Sequence, residues 1–456
     1  MTNLSRLTLS QADKRFVWHP YTQMKDWQKM RNPVITSGEN FYLVDNRGNK
    51  YLDGIASMWC NVWGHGENEI SLKMISQMKK FQHSTLFGLA SGPSVRLAAL
   101  LLKICKGMDK VFYSDNGSTA IEVAMKMALQ YWRNKGSSKK THFISLKGGY
   151  HGDTIGAMSV GYVRDYFHAY QPLLKKVHRV PAPSMNAKNK NKTSDTELKL
   201  CIQKTEDVLQ KNASKCSALI MESGAQIAGG VRIYPEGYQK EISRLCAKYD
   251  VLLILDEIAT AFGRLGNMIE YLSQGSIPDI ACFGKALSAG YSPLAVTLTT
   301  SKIYQAFNGD YLEKKHLFHG HTYTGHALGC TAAIANLDMI KKNKLISQVR
   351  DNSQYIHNRL KEIHNSSVVS CVRHKGLLAA FDIIKDGKPT LYIENRVPIG
   401  YYIMQESLKM GVFLRSLGNT LVIIPPLAIP RMDLEFLMDV VIKLIYKIEN
   451  KLQSYN

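Results

Sequence analysis

The chain has no long apolar run, no paired-cysteine motif, no internal repeat and a shortage of acidic residues. No stretch of its 456 residues approaches the run of about 18 apolar side chains that a membrane-spanning helix needs, so no membrane association is expected. Residues 1–15 lack an apolar core followed by a small-residue cleavage site, so no secretory signal is read and the cytoplasm is the expected compartment. Eight cysteines stand at 60, 105, 201, 216, 246, 282, 330 and 371. None has the Cys-x-x-Cys spacing of a metal or redox site, so no metal is expected; reduced, mostly buried thiols are.

Acid is scarce: 37 Asp and Glu stand against 58 Lys and Arg, a net charge of +21. That balance raises nucleic acid as a partner. The lysines are scattered, however, often on polar helix faces such as Lys103, Lys106 and Lys110. The one dense cluster, Lys188, Lys190 and Lys192, lies in a Pro-, Asn- and Ser-rich stretch (181–196) that reads as a surface loop. No basic motif is interleaved with aromatics, so no nucleic-acid partner is expected. An excess of lysine also draws anionic small molecules.

What is present is ordinary globular composition, 45% hydrophobic and 21% charged, at a length that calls for more than one core. Short apolar runs alternate with helical periods. Strands are predicted over 110–113, 141–145, 218–221, 251–255, 280–283 and 295–299, and helices over 118–133 and 235–249. The run 251–255 is wholly apolar, as a central parallel strand covered on both faces should be. The pattern predicts an α/β fold: a large domain with a mostly parallel sheet over 75–330, and a smaller α+β domain over 331–456, to which 1–74 contributes.

Four local features carry chemistry. Asp256 ends the apolar strand, at the rim where open α/β sheets bind ligands; taken alone, a helix cap or ion pair is the commoner reading. Lys285 follows another apolar strand among small residues; burial would lower its pKa and make it a nucleophile, although a lone lysine there more often lies on the surface. Together the two suit a cofactor that needs an amine and a carboxylate against a pyridine nitrogen. Ser114–Ala120 opens a helix with Gly117, Ser118 and Thr119, a cradle for phosphate as well as a helix cap. Tyr150, between glycines in 148–153, could stack on a flat ring or simply mark a turn.

The run 256–264 (Asp-Glu-Ile-Ala-Thr-Ala-Phe-Gly-Arg), followed by Gly284-Lys285, resembles the class III aminotransferases of the fold-type I pyridoxal 5′-phosphate (PLP) enzymes. Ala261 departs from the glycine usual there. Trp18-His19-Pro20-Tyr21-Thr22-Gln23-Met24, the run 123–132 and Gly149-Tyr150-His151-Gly152-Asp153-Thr154 are similar to the biotin-pathway branch of that family, over about residues 16–430. That branch converts 8-amino-7-oxononanoate to 7,8-diaminononanoate.

The resemblance implies PLP as cofactor, a homodimer and a set of roles. Lys285 would be the Schiff-base lysine and proton shuttle, Asp256 the partner of the pyridine nitrogen, and Tyr21 a third active-site group. Gly117 and Ser118 would hold the phosphate, with His321 and Thr322 reaching it from a second subunit and Gly320 beside them. Tyr150 would stack on the ring. Met58, Trp59 and Arg415 would meet substrate, Arg415 through its carboxylate; Glu222 and Gln226 would sit near the cofactor. Met58-Trp59 replaces a tryptophan pair and Ser416 a proline, so the implied amino donor is S-adenosylmethionine or L-lysine. The alternatives are another class III ω-amino acid or diamine transaminase, and an inactive homologue that serves as a binding module. Because the lysines are dispersed, the protein should elute from heparin at low salt; retention that survives several hundred millimolar salt would show a nucleic-acid-type surface.

Overall fold

A computed structural model describes residues 7–184, 194–393 and 397–453. Its centre is a seven-stranded sheet: β1 (Lys110–Ser114), β2 (His142–Leu146), β3 (His178–Val180), β4 (Cys216–Glu222), β5 (Leu252–Asp256), β6 (Ile280–Phe283) and β7 (Ala295–Thr299). The spatial order is β1-β7-β6-β5-β4-β2-β3. Every residue of β4, β5 and β6 is buried, which explains why these strands are continuous apolar runs rather than alternating ones.

All six expected strands are found, with ends moved by two residues at most, and β3 joins them without having been expected. One strand breaks the parallel pattern: β7 pairs antiparallel with both β6 and β1. The link from β6 to β7, residues 284–294, holds one short 3₁₀ turn at Lys285–Ser288, and a parallel return needs a longer crossover. The helix expected over 235–249 begins at Tyr238, because Gly237 sits in the left-handed region (φ 81°) and stops it there.

The helix Gly117–Asn134 is capped by Asn116, whose side chain accepts from the Thr119 N–H while Thr119 returns the bond. Its buried stripe, which includes Ile121, Ala124, Ala128 and Trp132, covers β6 and β7. Cys282, Ile254 and Ala295 belong to the same apolar cluster.

Outside this sheet, the N-terminal strands Ile35–Glu39, Tyr42–Asp45 and Lys50–Asp53 form a second one, closed by Val412–Phe413 from the far end of the chain. Lys50–Asp53 and Val412–Phe413 run parallel, with Leu52 opposite Val412 and Asp53 opposite Phe413. A third, antiparallel sheet is built on Val369–Lys375, Leu378–Lys385, Arg415–Leu417 and Thr420–Ile423. The helices Leu345–Leu360 and Arg431–Gln453 pack against each other.

The cysteines are free, six buried and two partly exposed. Among the described residues no helix is long and apolar enough to cross a membrane. Lys188, Lys190 and Lys192 lie outside the described residues with most of the expected loop; the helix Ser194–Asn212 takes the last three residues of that loop.

One side chain ties the core helix Ala327–Lys342 to the turn after β6. Asn336, fully buried, donates Nδ2 to the carbonyls of Ala286 (2.7 Å) and Leu287 (3.0 Å) and accepts from Trp63 Nε1 (2.8 Å). Asn336→Ala would strand all three groups, so chemical denaturation of the cofactor-free protein should show a loss of roughly 2–4 kcal/mol.

Candidate active site

Strand register builds the site. Asp256 lies opposite Glu222 on β4 and opposite Cys282 on β6. The carboxyl ends of β4, β5 and β6 therefore share one rim, and Lys285 follows directly from β6. Because β7 is antiparallel to both of its neighbours, β1 ends at the same rim, and its Ser114 leads into the capped helix start. A cavity of about 650 Å³ opens there, and Trp59, Gly117, Ser118, Tyr150, Asp256 and Lys285 all line it. These six expected residues come from five separate parts of the chain.

Asp256 is 5% exposed, and a carboxylate so placed needs partners. Its Oδ2 lies 2.8 Å from His151 Nδ1, and its Oδ1 accepts from the Ile258 N–H at 2.9 Å. His151 is itself buried. Sequence reading quoted His151 but attached its role to Tyr150 alone. A polar ring within a glycine-rich run was the signal for it, and only the fold shows its partner.

Lys285 occupies the left-handed region (φ 45°), a rare conformation for a side-chain-bearing residue. Burial lowers the pKa of its amine, with the charges of Asp256 and Glu222 acting in the opposite direction. Its Nζ sits 5.4 Å from the centroid of the Trp59 ring.

At the helix start, Asn116 satisfies the Thr119 and Ala120 N–H groups. The Gly117 and Ser118 N–H groups have no partner within the helix and stand at its positive end. A Cβ on Gly117 would come within 2.9 Å of two carbons of Ile258. Gly152 (φ 119°) brings the Gly148–Asp153 run onto the helix: a Cβ there would meet Ser118 Oγ at 2.4 Å. Thr154 completes the seam, with its N–H donating to Ser118 Oγ at 3.0 Å.

Glu222 lies behind the Tyr150 run. Burial raises its carboxyl pKa to about 7, while Oε1 accepts from the Tyr150 N–H (3.1 Å) and Oε2 from the Ile227 N–H (2.9 Å). Gln226 donates to the Lys147 carbonyl at 3.2 Å.

The remaining candidates stand at the mouth or away from it. Tyr21 is exposed and donates its hydroxyl to Asp153 Oδ1 at 2.6 Å; Asp153 lines the cavity. Burial and the bond to Asp153 push the Tyr21 phenol pKa up, so it stays protonated. Tyr21 also meets Tyr166 edge-on at 5.3 Å. Arg415, half-buried at the start of its strand, acts electrostatically on Tyr166 but does not line the cavity. Met58 is 47% exposed beside Trp59 and also lies off the lining. Gly320, His321 and Thr322 of the same chain are not on the cavity wall. Gly320 packs on Phe87, where a Cβ would come within 2.3 Å. His321 Nδ1 is 3.3 Å from Asp115 Oδ2. Thr322 is exposed, with its carbonyl accepting from His83 at 2.8 Å.

The donor set fits a phosphorylated pyridine aldehyde: free N–H groups for an anion, a stabilised carboxylate for a ring nitrogen, an aromatic wall and a lysine of depressed pKa.

The sequence profile described as Aminotransferase class-III matches residues 23–445. The chain is 40% identical over 451 residues to the adenosylmethionine-8-amino-7-oxononanoate aminotransferase of Geobacter sulfurreducens, covering 98% of this chain and 99% of that protein. The crystal structure of the enzyme of the same name from Methanocaldococcus jannaschii superposes with a TM-score of 0.89, at 38% identity, over 96% of this chain and 99% of that one. An omega transaminase from Pseudomonas jessenii, in complex with PMP, gives a TM-score of 0.93 at 25% identity over 99% and 100% of the two chains.

The depressed pKa of Lys285 has a direct consequence for the cofactor-free protein. Below the ordinary lysine range the Lys285 amine is neutral more often than surface amines. In competitive acylation mapped by mass spectrometry, Lys285 should gain on exposed lysines as pH falls from about 10 to about 7, and the advantage should vanish above about 10.5. A Lys285 that labels in step with surface lysines throughout would contradict the assignment.

Proposed function

Because the chain belongs to the class III aminotransferases, we propose that it aminates 8-amino-7-oxononanoate to 7,8-diaminononanoate, the biotin-pathway reaction, with PLP as cofactor. The observation that carries this reading is the meeting of Lys285 and the His151-held Asp256 across one cavity. The relatives named above are adenosylmethionine-8-amino-7-oxononanoate aminotransferases, which supports this substrate and S-adenosylmethionine as amino donor. Met58, where a tryptophan pair would stand, favours L-lysine as the second donor to test.

When bound, PLP supplies an aldehyde that accepts nitrogen and a pyridine ring that withdraws electrons. Lys285, whose amine pKa burial lowers, would serve as the nucleophile toward that aldehyde and as the base that moves a proton at the amine-bearing carbon. Asp256, bonded to His151 and to the Ile258 N–H, would meet the ring nitrogen and hold a proton there. The Gly117 and Ser118 N–H groups bind the phosphate. Tyr150 and Ile258, which line the same cavity, would pack against the ring.

Tyr21, Met58, Trp59 and Arg415 form the mouth, where Arg415 pairs with the substrate carboxylate. His321 and Thr322, with Gly320, would reach the phosphate only from a second copy of the chain, so the working form in this reading is a homodimer.

The test uses purified holoenzyme. S-adenosylmethionine and L-lysine are added separately while the visible cofactor band is followed; the correct donor should bleach it and 8-amino-7-oxononanoate should restore it. Lys285→Ala should lack the band, and Asp256→Ala should lose about a thousandfold or more in rate. A wild-type protein that shows no band with added PLP would leave the inactive-homologue reading standing. Bleaching by ω-amino acids, without restoration by the keto acid, would favour the general transaminase.

A further inference from the structure

Four consecutive residues without a glycine among them, Ala56 to Trp59, all have positive φ: 48°, 46°, 76° and 73°. The ψ values of Ser57 and Met58 are 47° and 45°, the geometry of a left-handed α-helix. The hydrogen bonds agree, since Trp59 N–H donates to the Ile55 carbonyl (2.9 Å) and Cys60 N–H to that of Ala56 (3.0 Å). L-residues normally enter this region singly, because Cβ crowds the next carbonyl oxygen. A whole turn of them persists only if something over-determines it.

Asp53 does so. It is fully buried. Its Oδ1 accepts from the Ser57 N–H at 2.9 Å, and its Oδ2 accepts from Ser57 Oγ–H at 2.6 Å and lies 3.2 Å from His65 Nε2. Arg264 adds a positive neighbour. It is buried and donates Nη1 to the carbonyls of Leu377 (2.9 Å) and Pro425 (2.8 Å), while Nε and Nη2 make no hydrogen bond. Burial pushes its pKa down to about 9, with Asp53 acting in the opposite direction.

The turn ends in the cavity. Trp59 and Cys60 line it, and the Trp59 ring lies under Lys285 Nζ. A right-handed turn would send these two side chains elsewhere. The strand that carries Asp53 pairs with Val412–Phe413, and the chain runs on from there to Arg415, which opens the next strand two residues later.

We propose that Asp53 is a positioning residue: it clamps the left-handed turn Ala56–Trp59 and thereby sets the substrate-facing wall beside Lys285. Asp53 touches no substrate and acts through Ser57 and the backbone. The kinetic part of the test rests on the aminotransferase reading above; the labelling part does not.

Asp53→Asn, Ser57→Ala, Ala56→Gly and the double variant Asp53→Asn/Ala56→Gly would be compared in the full chain. Cys60 Sγ donates to the Ser57 carbonyl within the turn at 3.4 Å, so its alkylation by N-ethylmaleimide, mapped by mass spectrometry, reports the turn without any activity. Ser57→Ala, which leaves the Asp53 charge in place, should speed Cys60 labelling about tenfold while labelling of Cys371, on another sheet, stays unchanged. Asp53→Asn should do the same. In the holoenzyme it should raise KM for the keto acid about tenfold, with a smaller fall in kcat. Ala56→Gly, which removes one Cβ from the left-handed turn, should keep wild-type behaviour alone and recover part of both losses in the double variant. Unchanged Cys60 labelling, a parallel rise at Cys371, or no recovery by Ala56→Gly would each overturn the clamp. A wild-type enzyme that transaminates with neither donor would sink the function and leave the labelling result to judge Asp53.

Discussion

The site depends on giving one carboxylate, Asp256, its hydrogen-bond partners where water barely reaches. An unpaired buried carboxylate takes up a proton or is driven out. Asp256 is not unpaired: an imidazole lies on one oxygen and a backbone N–H on the other. The contrast with Glu222 is instructive. It lies one strand away in register and accepts two backbone N–H groups, yet burial raises its pKa to about 7. His151 is hydrogen-bonded to Asp256 and reaches Glu222 only as a nearby charge. The Gly148–Asp153 run must lie close against the helix start to deliver that imidazole, and this makes Gly152 necessary at its contact with Ser118.

The rest of the cavity is organised around backbone held in uncommon conformations. Lys285 and the Ala56–Trp59 turn are all left-handed, each residue costing about 1–2 kcal/mol. Of these, Lys285 and Trp59 line the cavity, and strain at such positions persists when the surrounding fold is rigid enough to hold it. The rigid parts are the all-buried strands β4, β5 and β6 and the polar anchors Asn336 and Asp53. Asn336 holds the carbonyls after Lys285, and Asp53 holds the turn that carries Trp59.

Much of the fold was legible because central parallel strands cannot hide their composition. Val251 to Leu255 is apolar throughout, and β5 occupies that run shifted by one residue. The helix after β1 was legible from its apolar period over 118–133; that Asn116 and Thr119 cap it is seen only in the structure. The direction of β7 was not legible, since its composition matches a parallel strand and only the short link from β6 decides the matter. The start of the helix at Tyr238 turned on the conformation of Gly237, which composition suggests but does not impose. The left-handed turn left no trace in the residue types, because none of its members is glycine. Its cause, a buried carboxylate on a preceding strand, is a three-dimensional contact.

By itself the sequence determined the inventory: a lysine and an aspartate each ending a buried strand, a capped helix start rich in hydroxyls, and an aromatic among glycines. Such features are local, set by neighbours along the chain, and so they can be read along it. The tertiary structure alone decided which of these groups meet. Strand order and register bring Asp256, Glu222 and Lys285 to one rim, the fold of 148–153 supplies His151 to Asp256, and pairing of residues 50–53 with 412–413 brings the two ends of the chain together. Those meetings depend on contacts between residues tens to hundreds of positions apart, and no local pattern encodes the distance between two such groups.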